Sequence, residues 1–231
     1  MTLMRRAVFR DRRASEWTLD GSGLLVQGIV VPLLQTTVLY LSLARLAPAW
    51  KASIHLSGWA AFLVNFVVID YAYYWNHRVL HGQVLWRWHA VHHTAREMDV
   101  IVTSRNTLGS HFLILYFWIN ALWMFLLVDP TSYLLAVALT AGLDLWRHSP
   151  TYPGKGTLAN RLLGTVLITP HEHAWHHSAN RTGCNFGANL NWWDKMHGTY
   201  YSPPERPARL GIDPGWTFLQ RLLWPAGLGS P

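Results

Sequence analysis

The sequence predicts an all-α integral-membrane protein built as a bundle of about four transmembrane helices. Of its 231 residues, 51% are hydrophobic and 13% are charged, whereas soluble domains carry about 25% charged residues. Thirteen histidines are present, and most of them are clustered in sequence. The length fits a single domain over residues 1–231, and the abundance of aromatic residues excludes a disordered chain.

Four apolar runs are the evidence for membrane helices. A bilayer's hydrocarbon core is about 30 Å thick, and a helix needs about 20 apolar residues to cross it. The second run contains Asp70, the fourth contains Asp144, and Asp129-Pro130 forms a short turn between the third and the fourth. A soluble all-α core is the alternative, but apolar runs this long are typical of membrane spans. The runs cover residues 24–46, 54–75, 108–128 and 132–146.

Basic residues predict the orientation of these helices. Five arginines lie in residues 1–20, ahead of the first run, and cytoplasmic segments carry an excess of Lys and Arg. We therefore expect the N-terminus and both histidine-rich segments on the cytoplasmic face of the membrane, the inner membrane in a bacterium. This topology and anionic lipid headgroups account for the net charge of +7, and no basic stripe indicates a nucleic-acid partner. Residues 202–231 form a C-terminal tail, in which residues 216–224 are expected to lie at the membrane interface.

Three histidine motifs carry the candidate chemistry. In an α-helix, positions i, i+3 and i+4 lie on one side, so each motif directs its imidazoles the same way. Eight imidazoles exceed the usual ligand number of one metal ion and predict two ions side by side. Imidazole binds zinc, copper, iron and nickel, so the pattern leaves the metal open. The motifs contain His77 and His81; His89, His92 and His93; and His173, His176 and His177.

His148 is expected to be a ninth ligand, because it follows the fourth apolar run at the same membrane face. Asp144 stands one turn before His148 and is placed to orient its ring, and Asp70 stands two turns before His77. Carboxylates inside membrane spans are costly, which makes both of them functional candidates. The alternative for both is pairing with a neighbouring arginine.

The remaining histidines are weaker candidates. His171 lies on roughly the opposite side of a helix from His173, which favours a place beside the ligands or in solvent over ligation. His111, near the start of the third run, is a candidate for lining a pocket, whereas His55 and His197 are isolated and expected only at the interface.

Several other kinds of site are excluded. Cys184 is the only cysteine, which rules out an internal disulfide framework, a cysteine-based zinc site and a cysteine-ligated iron–sulfur cluster. No Gly-x-Gly-x-x-Gly motif or phosphate loop is present, so no nucleotide site is expected. Electrons for redox chemistry at the metals would therefore come from another protein.

The histidine motifs resemble those of the fatty acid hydroxylase / sterol desaturase superfamily of integral-membrane di-iron enzymes. The resemblance covers about residues 60–200, with order and spacing preserved. It departs from the usual pattern at His171, where a small polar residue is more frequent, at His197, where an aromatic residue is usual, and around His148, where further histidines are usual. The matching segments are Asp70-Tyr-Ala-Tyr-Tyr-Trp-Asn-His77-Arg-Val-Leu-His81, Leu85 to His93, Leu163 to Pro170, His173 to His177, Asn185-Phe-Gly and Trp193-Asp194-Lys.

This resemblance implies a four-helix membrane bundle with a cytosolic helical cap that holds two iron ions. The expected reaction uses O₂ to hydroxylate or desaturate a lipid in lipid biosynthesis, with hydroxylation preferred and with zinc as a possible metal in isolated protein. The expected partners are the lipid substrate, membrane lipids and an external electron donor such as ferredoxin or cytochrome b5. The side chains expected around the ligands are Asp70, Asp144, Glu172, His171 and Asn185.

Two other functional classes compete with this interpretation. A zinc-dependent membrane hydrolase would use the same ligands without O₂, with the metal acting as a Lewis acid. A non-catalytic metal carrier or haem-binding membrane protein is the other class. Haem takes at most two axial ligands from the protein and would leave most of these histidines unexplained.

Overall fold

Helices and turns make up the whole architecture of the residues that the computed structural model describes, which are 12–151, 153–154, 156–181 and 183–225. Within these residues no β-strand is present, which confirms the predicted all-α class. Residues 1–11, with three of the five predicted cytoplasmic arginines, and the last six residues of the tail lie outside the described part. The helices are α1 Ala14–Leu46, α2 over residues 58–80, α3 Trp86–Ala90, α4 Leu115–Leu126, α5 Thr131–Arg147, α6 Leu158–Val166, α7 Pro170–His176, α8 Trp192–Met196 and α9 Phe218–Leu222.

The predicted boundaries of the apolar runs agree with the structure at one helix and differ at three. Helix α5 matches the run 132–146 closely, but α1 begins ten residues before the run 24–46, and α2 begins at Gly58. The prediction of one helix from residue 108 was wrong. Residues 108–113 form a 3₁₀ helix capped by the side chain of Thr107, and extended backbone at Ile114 separates it from α4.

Helix α1 is the one described helix that is long and apolar enough to cross a membrane by length and composition alone. It has 33 residues, equivalent to about 50 Å, and only 6% of its most apolar window is buried. A core helix of a soluble protein would bury that face instead. Helix α4 is apolar but has 12 residues, about 18 Å, which is short of the roughly 30 Å bilayer core.

The four longer helices pack side by side. The first turns of α2 lie against α5, while α4 contacts both α1 and α2. Gly58 on α2 allows this approach, because a Cβ there would lie 2.9 Å from the hydroxyl of Ser132 on α5. Ile54, Ala61, Ile69, Leu127 and Tyr133 form the apolar core at this end of the bundle.

A network of buried charges fixes the N-terminal end of α1 to the segment that follows α3. The carboxylate of Asp20 accepts hydrogen bonds from Arg105 Nε at 2.7 Å and Arg105 Nη2 at 2.8 Å, and Arg12 lies 2.9 Å from the same carboxylate. Glu16 pairs with Arg105 and with Arg221 of α9. The opposite charges are matched, so this network joins α1, the segment that follows α3 and the C-terminal tail.

Gly23 follows Asp20 by three residues on α1, and its substitution is expected to be destabilising. A Cβ at Gly23 would lie 1.9 Å from the backbone oxygen of Ser104, so Gly23→Ala must push α1 off the 3₁₀ turn Val102–Ser104. We expect a loss of about 1–3 kcal/mol, as for overpacking. Gly28→Ala is the matched control, because nothing lies within 4 Å of that position and alanine favours helix. Thermal unfolding in detergent measures both, and equal stabilities would contradict this account of the contact.

Candidate metal centre

Nine histidines from four separate stretches of chain converge at one end of the bundle, and all nine are buried. Helix α2 carries His77 and is followed directly by His81, α3 and the turn after it carry the second motif, and α7 with the residue after it carries the third. His148 follows the last residue of α5. They form a five-histidine group of His77, His81, His89, His93 and His176, and a four-histidine group of His92, His148, His173 and His177.

Within each group the candidate ligand atoms all lie within 4.8 Å of one another. The Nε2 atoms of His77 and His89 are 3.0 Å apart in the five-histidine group. In the four-histidine group, His148 Nε2 lies 3.2 Å from His92 Nε2 and 3.0 Å from His173 Nε2. The structure thus brings together every histidine that the sequence predicted as a ligand.

Backbone carbonyls fix the tautomers of four of these rings. The Nδ1 atoms of His77, His148 and His176 lie 2.8 Å from the carbonyl oxygens of Phe186, Asp144 and Cys184, respectively, and His92 Nδ1 lies 3.3 Å from that of Arg105. A carbonyl only accepts, so each Nδ1 carries the proton and each Nε2 presents a lone pair.

The close approach of these lone pairs indicates a site for a cation. The Nε2 atoms of His92 and His148 are 3.2 Å apart with their protons on the far side of each ring, so they repel unless a positive charge lies between or beside them. Several further buried ring nitrogens, including both nitrogens of His81 and of His177, have no hydrogen-bond partner among the described residues. A neutral imidazole oriented by a carbonyl on its other nitrogen is the usual form of a metal-ligating histidine.

Burial keeps the imidazoles neutral. It lowers the pKa of seven of the buried rings well below the usual value, and the neighbouring histidines lower the pKa further, because charging one ring disfavours charging the next. Neutral rings at physiological pH are the form that binds a metal ion. This applies to His81, His89, His92, His93, His173, His176 and His177.

The carboxylates of Asp144 and Asp70 were expected to orient histidine rings, but in the structure they bind other groups. Asp144 pairs with Arg147 at 2.7 Å, and its backbone oxygen rather than its carboxylate makes the close contact with His148; the carboxylate is 3.5 Å from the ring. The reason is that the last turn of α5 leaves its carbonyls free to accept. Asp70 accepts from two backbone N–H groups and from Trp193 instead of orienting His77.

The other three predicted neighbours of the ligands are structural. Glu172 is part of a capping box at the start of α7, where it accepts from the backbone and side chain of Thr169. His171 contacts the carbonyl of Pro203 at 2.8 Å and belongs to neither histidine group. Asn185, in the left-handed backbone region at φ 55°, bonds to the carbonyls of Glu172 and Tyr201. All three fix α7 and the loop beside it.

Asp194 is a positioning residue that the sequence reasoning did not single out, although it lies in the quoted Trp193-Asp194-Lys motif. Its carboxylate accepts from the backbone N–H of Phe186 at 2.8 Å and of Gly187 at 2.7 Å. The same loop contributes the carbonyls of Cys184 and Phe186 to two histidines. Asp194 therefore acts on the ligands through the backbone, and only the fold reveals it.

A cavity of about 320 Å³ adjoins the histidines between α1, α2, α4 and α5. His77, His89, His92 and His173 line one part of it, and the aromatic rings of Tyr73, Tyr116 and Phe117 line another. Its size lies in the range of small-molecule sites. His111 also lines this cavity, which agrees with its predicted place at a pocket.

These features define the class: an all-helical protein with a candidate two-metal centre made of imidazoles next to a cavity between the long helices. Residues 62–199 match the fatty acid hydroxylase family, and the chain belongs to that family. This confirms the resemblance found in the motifs. No solved structure shows significant similarity to the chain.

Curated relatives of the chain are lipid hydroxylases and monooxygenases. An ornithine lipid hydroxylase of Rhizobium tropici is 33% identical over 156 residues, 65% of this chain and 44% of the relative. Alkylglycerol monooxygenases of Xenopus tropicalis and Homo sapiens are 25% and 27% identical, over 65% and 61% of this chain and 32% and 31% of their own lengths. The chain thus matches less than half of the length of each.

Proposed function

We propose that the protein is a membrane-bound di-iron oxygenase that hydroxylates a C–H bond of a lipid, using O₂ and an external reductant. The observation that carries this proposal is the pair of buried histidine groups whose lone pairs converge beside a cavity. An all-imidazole donor set suits iron and zinc alike. Iron is favoured because the relatives are hydroxylases and monooxygenases by name, and hydroxylation is favoured over desaturation for the same reason.

The residues of the chain hold the centre and exclude water. The nine histidines would hold two iron ions, which when bound supply O₂ activation and oxidation of the C–H bond. The carbonyls of Phe186, Arg105, Asp144 and Cys184 keep the ligating nitrogens directed inward. Tyr73, stacked on Tyr116 with 4.6 Å between ring centroids, lines the cavity beside the centre and would contact a substrate there.

The membrane arrangement is part of the proposal. Helices α1, α2, α4 and α5 would form the membrane bundle, with α3 and α7 in a cytoplasmic cap. Large apolar side chains exposed on all four helices support this arrangement, for example Ile29, Val68, Trp118 and Leu135, because such surfaces are stable against lipid but not in water. The substrate would enter from the bilayer, and electrons would come from a ferredoxin or cytochrome b5 type of protein docking at the cap.

Metal analysis and O₂ consumption test this function together. Freshly purified protein is expected to contain about two iron ions per chain and to consume O₂ only when a reductant is supplied. Cells that express the protein are expected to accumulate a lipid heavier by one oxygen atom. Zinc at full occupancy without O₂ consumption would instead support the hydrolase, and a metal without any lipid product would support a carrier.

A further inference from the structure

Polar side chains line the cavity at several depths, although a hydrocarbon chain alone would need only an apolar wall. Each of the four surrounding helices contributes one: Gln35 from α1, Asn65 from α2, Tyr116 from α4 and Thr140 from α5. Polar residues within a membrane bundle are costly and are usually retained for function. Some of them are satisfied within the protein, since Gln35 Nε2 donates to the carbonyls of Tyr116 and Phe117.

Among the described residues, six polar side-chain atoms of the cavity lining are buried without a hydrogen-bond partner. Two of them belong to the candidate ligand His173 and to Arg147, which pairs with Asp144, and the other four lie elsewhere in the lining. These four are Asn65 Oδ1, Thr103 Oγ1, His111 Nε2 and Tyr116 Oη. Asn65, Thr103 and His111 are 1%, 6% and 3% exposed, so solvent at the protein surface does not reach them. A buried polar group without a partner is costly, and its presence at a cavity indicates a partner that enters the cavity.

These atoms lie at two distances from the histidine centre. Asn65, Tyr73 and His77 all belong to α2, and all three line the cavity. Tyr73 stacks on Tyr116, and its ring centroid is 5.6 Å from that of His77. Tyr116 is therefore about one helical turn from the centre, and Asn65 is roughly 18 Å from His77 along the helix.

Away from the histidine centre and the metal ions that it would hold, the cavity wall offers hydrogen bonds but no charged side chain without a partner of opposite charge. Asp144 and Arg147 both line the cavity, but they pair with each other at 2.7 Å. The guanidinium of Arg147 also donates to the carbonyl of Ala188. An ionic group drawn into this space would find its counter-charge already occupied, whereas a hydroxyl, ether, ester or amide would find Tyr116 and Asn65 available.

We infer that the cavity binds an amphiphilic lipid through an uncharged polar group drawn inside it, with Tyr116 and Asn65 as binding residues, rather than a bare hydrocarbon tail. This inference rests on the proposed function, since it takes the cavity as the substrate site. Tyr116 is placed to hold a polar group near the carbon that is oxidised. Asn65 is placed to hold one farther along the same molecule.

A binding experiment with two probes that differ by one hydroxyl tests this inference. The full chain in detergent is equilibrated with equal mole fractions of hexadecan-1-ol and hexadecane, and the probes retained after gel filtration are quantified by gas chromatography. We expect the wild-type protein to retain the alcohol about tenfold over the alkane, equivalent to about 1.4 kcal/mol. The measurement needs neither metal nor turnover, so its failure is distinct from failure of the proposed oxygenase activity.

Three variants test which side chains cause the preference for the alcohol. Tyr116→Phe keeps the stacked ring and removes only the hydroxyl, and Asn65→Leu keeps the approximate volume; each is expected to lower the preference for the alcohol at least threefold. Tyr74→Phe is the control, because the Tyr74 hydroxyl bonds to Thr199 outside the cavity lining. Gel-filtration profiles show whether each variant is folded, and Tyr116→Phe alone suffices if Asn65→Leu is not.

Two results would overturn the inference. Equal retention of alcohol and alkane by the wild-type protein, or retention of neither, would mean that the cavity does not select an uncharged polar group and that water alone satisfies its lining. An unchanged preference in folded Tyr116→Phe would mean that this hydroxyl does not bind the probe.

Discussion

Replacement of His176 by alanine is expected to remove the metal ion of the five-histidine group and to abolish lipid hydroxylation. The centroid of the His176 ring lies within 4.8 Å of the ring centroids of His77, His81 and His93, and its Nε2 is buried with no hydrogen-bond partner in the described part of the chain. Loss of an outer-shell partner already costs about 10- to 100-fold in metal affinity, so loss of a ligand should cost more than about 100-fold. Elemental analysis of purified protein measures the metal content directly.

A control variant and a variant of the four-histidine group test the same ligand assignment. His55→Ala changes an exposed histidine of a loop and should retain both metal ions and full activity. His92→Ala changes the four-histidine group and should lose the other ion, because His92 Nε2 faces His148. A His176→Ala or His92→Ala protein that retains its full metal content and activity would show that the proposed ligand assignment is wrong.

The histidine centre was largely predictable, because helical periodicity is a local property of the sequence. The spacing of three and four residues in the motifs directs the imidazoles of one motif to one side, and the structure has them there. His148 was predictable from its position at the end of an apolar run. The division into groups of five and four was not, since it depends on how α7 lies against α2 and α3.

The residues around the ligands were predicted less well, because carboxylates bind whichever donors the fold brings to them. Glu172 is adjacent in sequence to His171 and His173, but its carboxylate accepts from the N–H group at the start of α7 and so caps that helix. The carbonyls of Cys184 and Phe186 reach His176 and His77 through an irregular loop. No periodicity encodes such a loop, so its contribution appears only in the folded chain.

Helix ends were the other source of error. Apolar composition indicated one helix from residue 108, yet the side chain of Thr107 accepts from Ser110 N–H and starts a separate turn. Asn76 then accepts from the backbone N–H of Leu115 and donates to the carbonyl of Leu113. These long-range hydrogen bonds stabilise the break between the 3₁₀ helix 108–113 and α4. His111, in that 3₁₀ helix, lines the cavity.

Replacement of Asp70 by alanine is expected to lower the free energy of unfolding by about 3–5 kcal/mol, because three buried donors lose their acceptor at a cost of about 1–3 kcal/mol each. Asp70 is fully buried, and its two carboxylate oxygens accept from Asn189 N at 2.8 Å, Leu190 N at 3.1 Å and Trp193 Nε1 at 2.7 Å. Alanine would leave three buried donors without acceptors. A chain of this length should then unfold roughly 10 °C lower, which thermal unfolding in detergent measures.

The same substitution should also weaken the metal centre, because Asp70 fixes the segment that directly follows Phe186. His77 would lose part of the support for its orienting carbonyl, and we expect a lower metal content in Asp70→Ala than in wild type even below the unfolding temperature. Asp213→Ala is the control: its pair with Arg96 is exposed on both sides, and such pairs contribute about 0–1 kcal/mol. If Asp70→Ala were as stable as Asp213→Ala, the carboxylate would not be the element that joins α2 to the loop, and the indirect route from Asp70 to His77 would have to be abandoned.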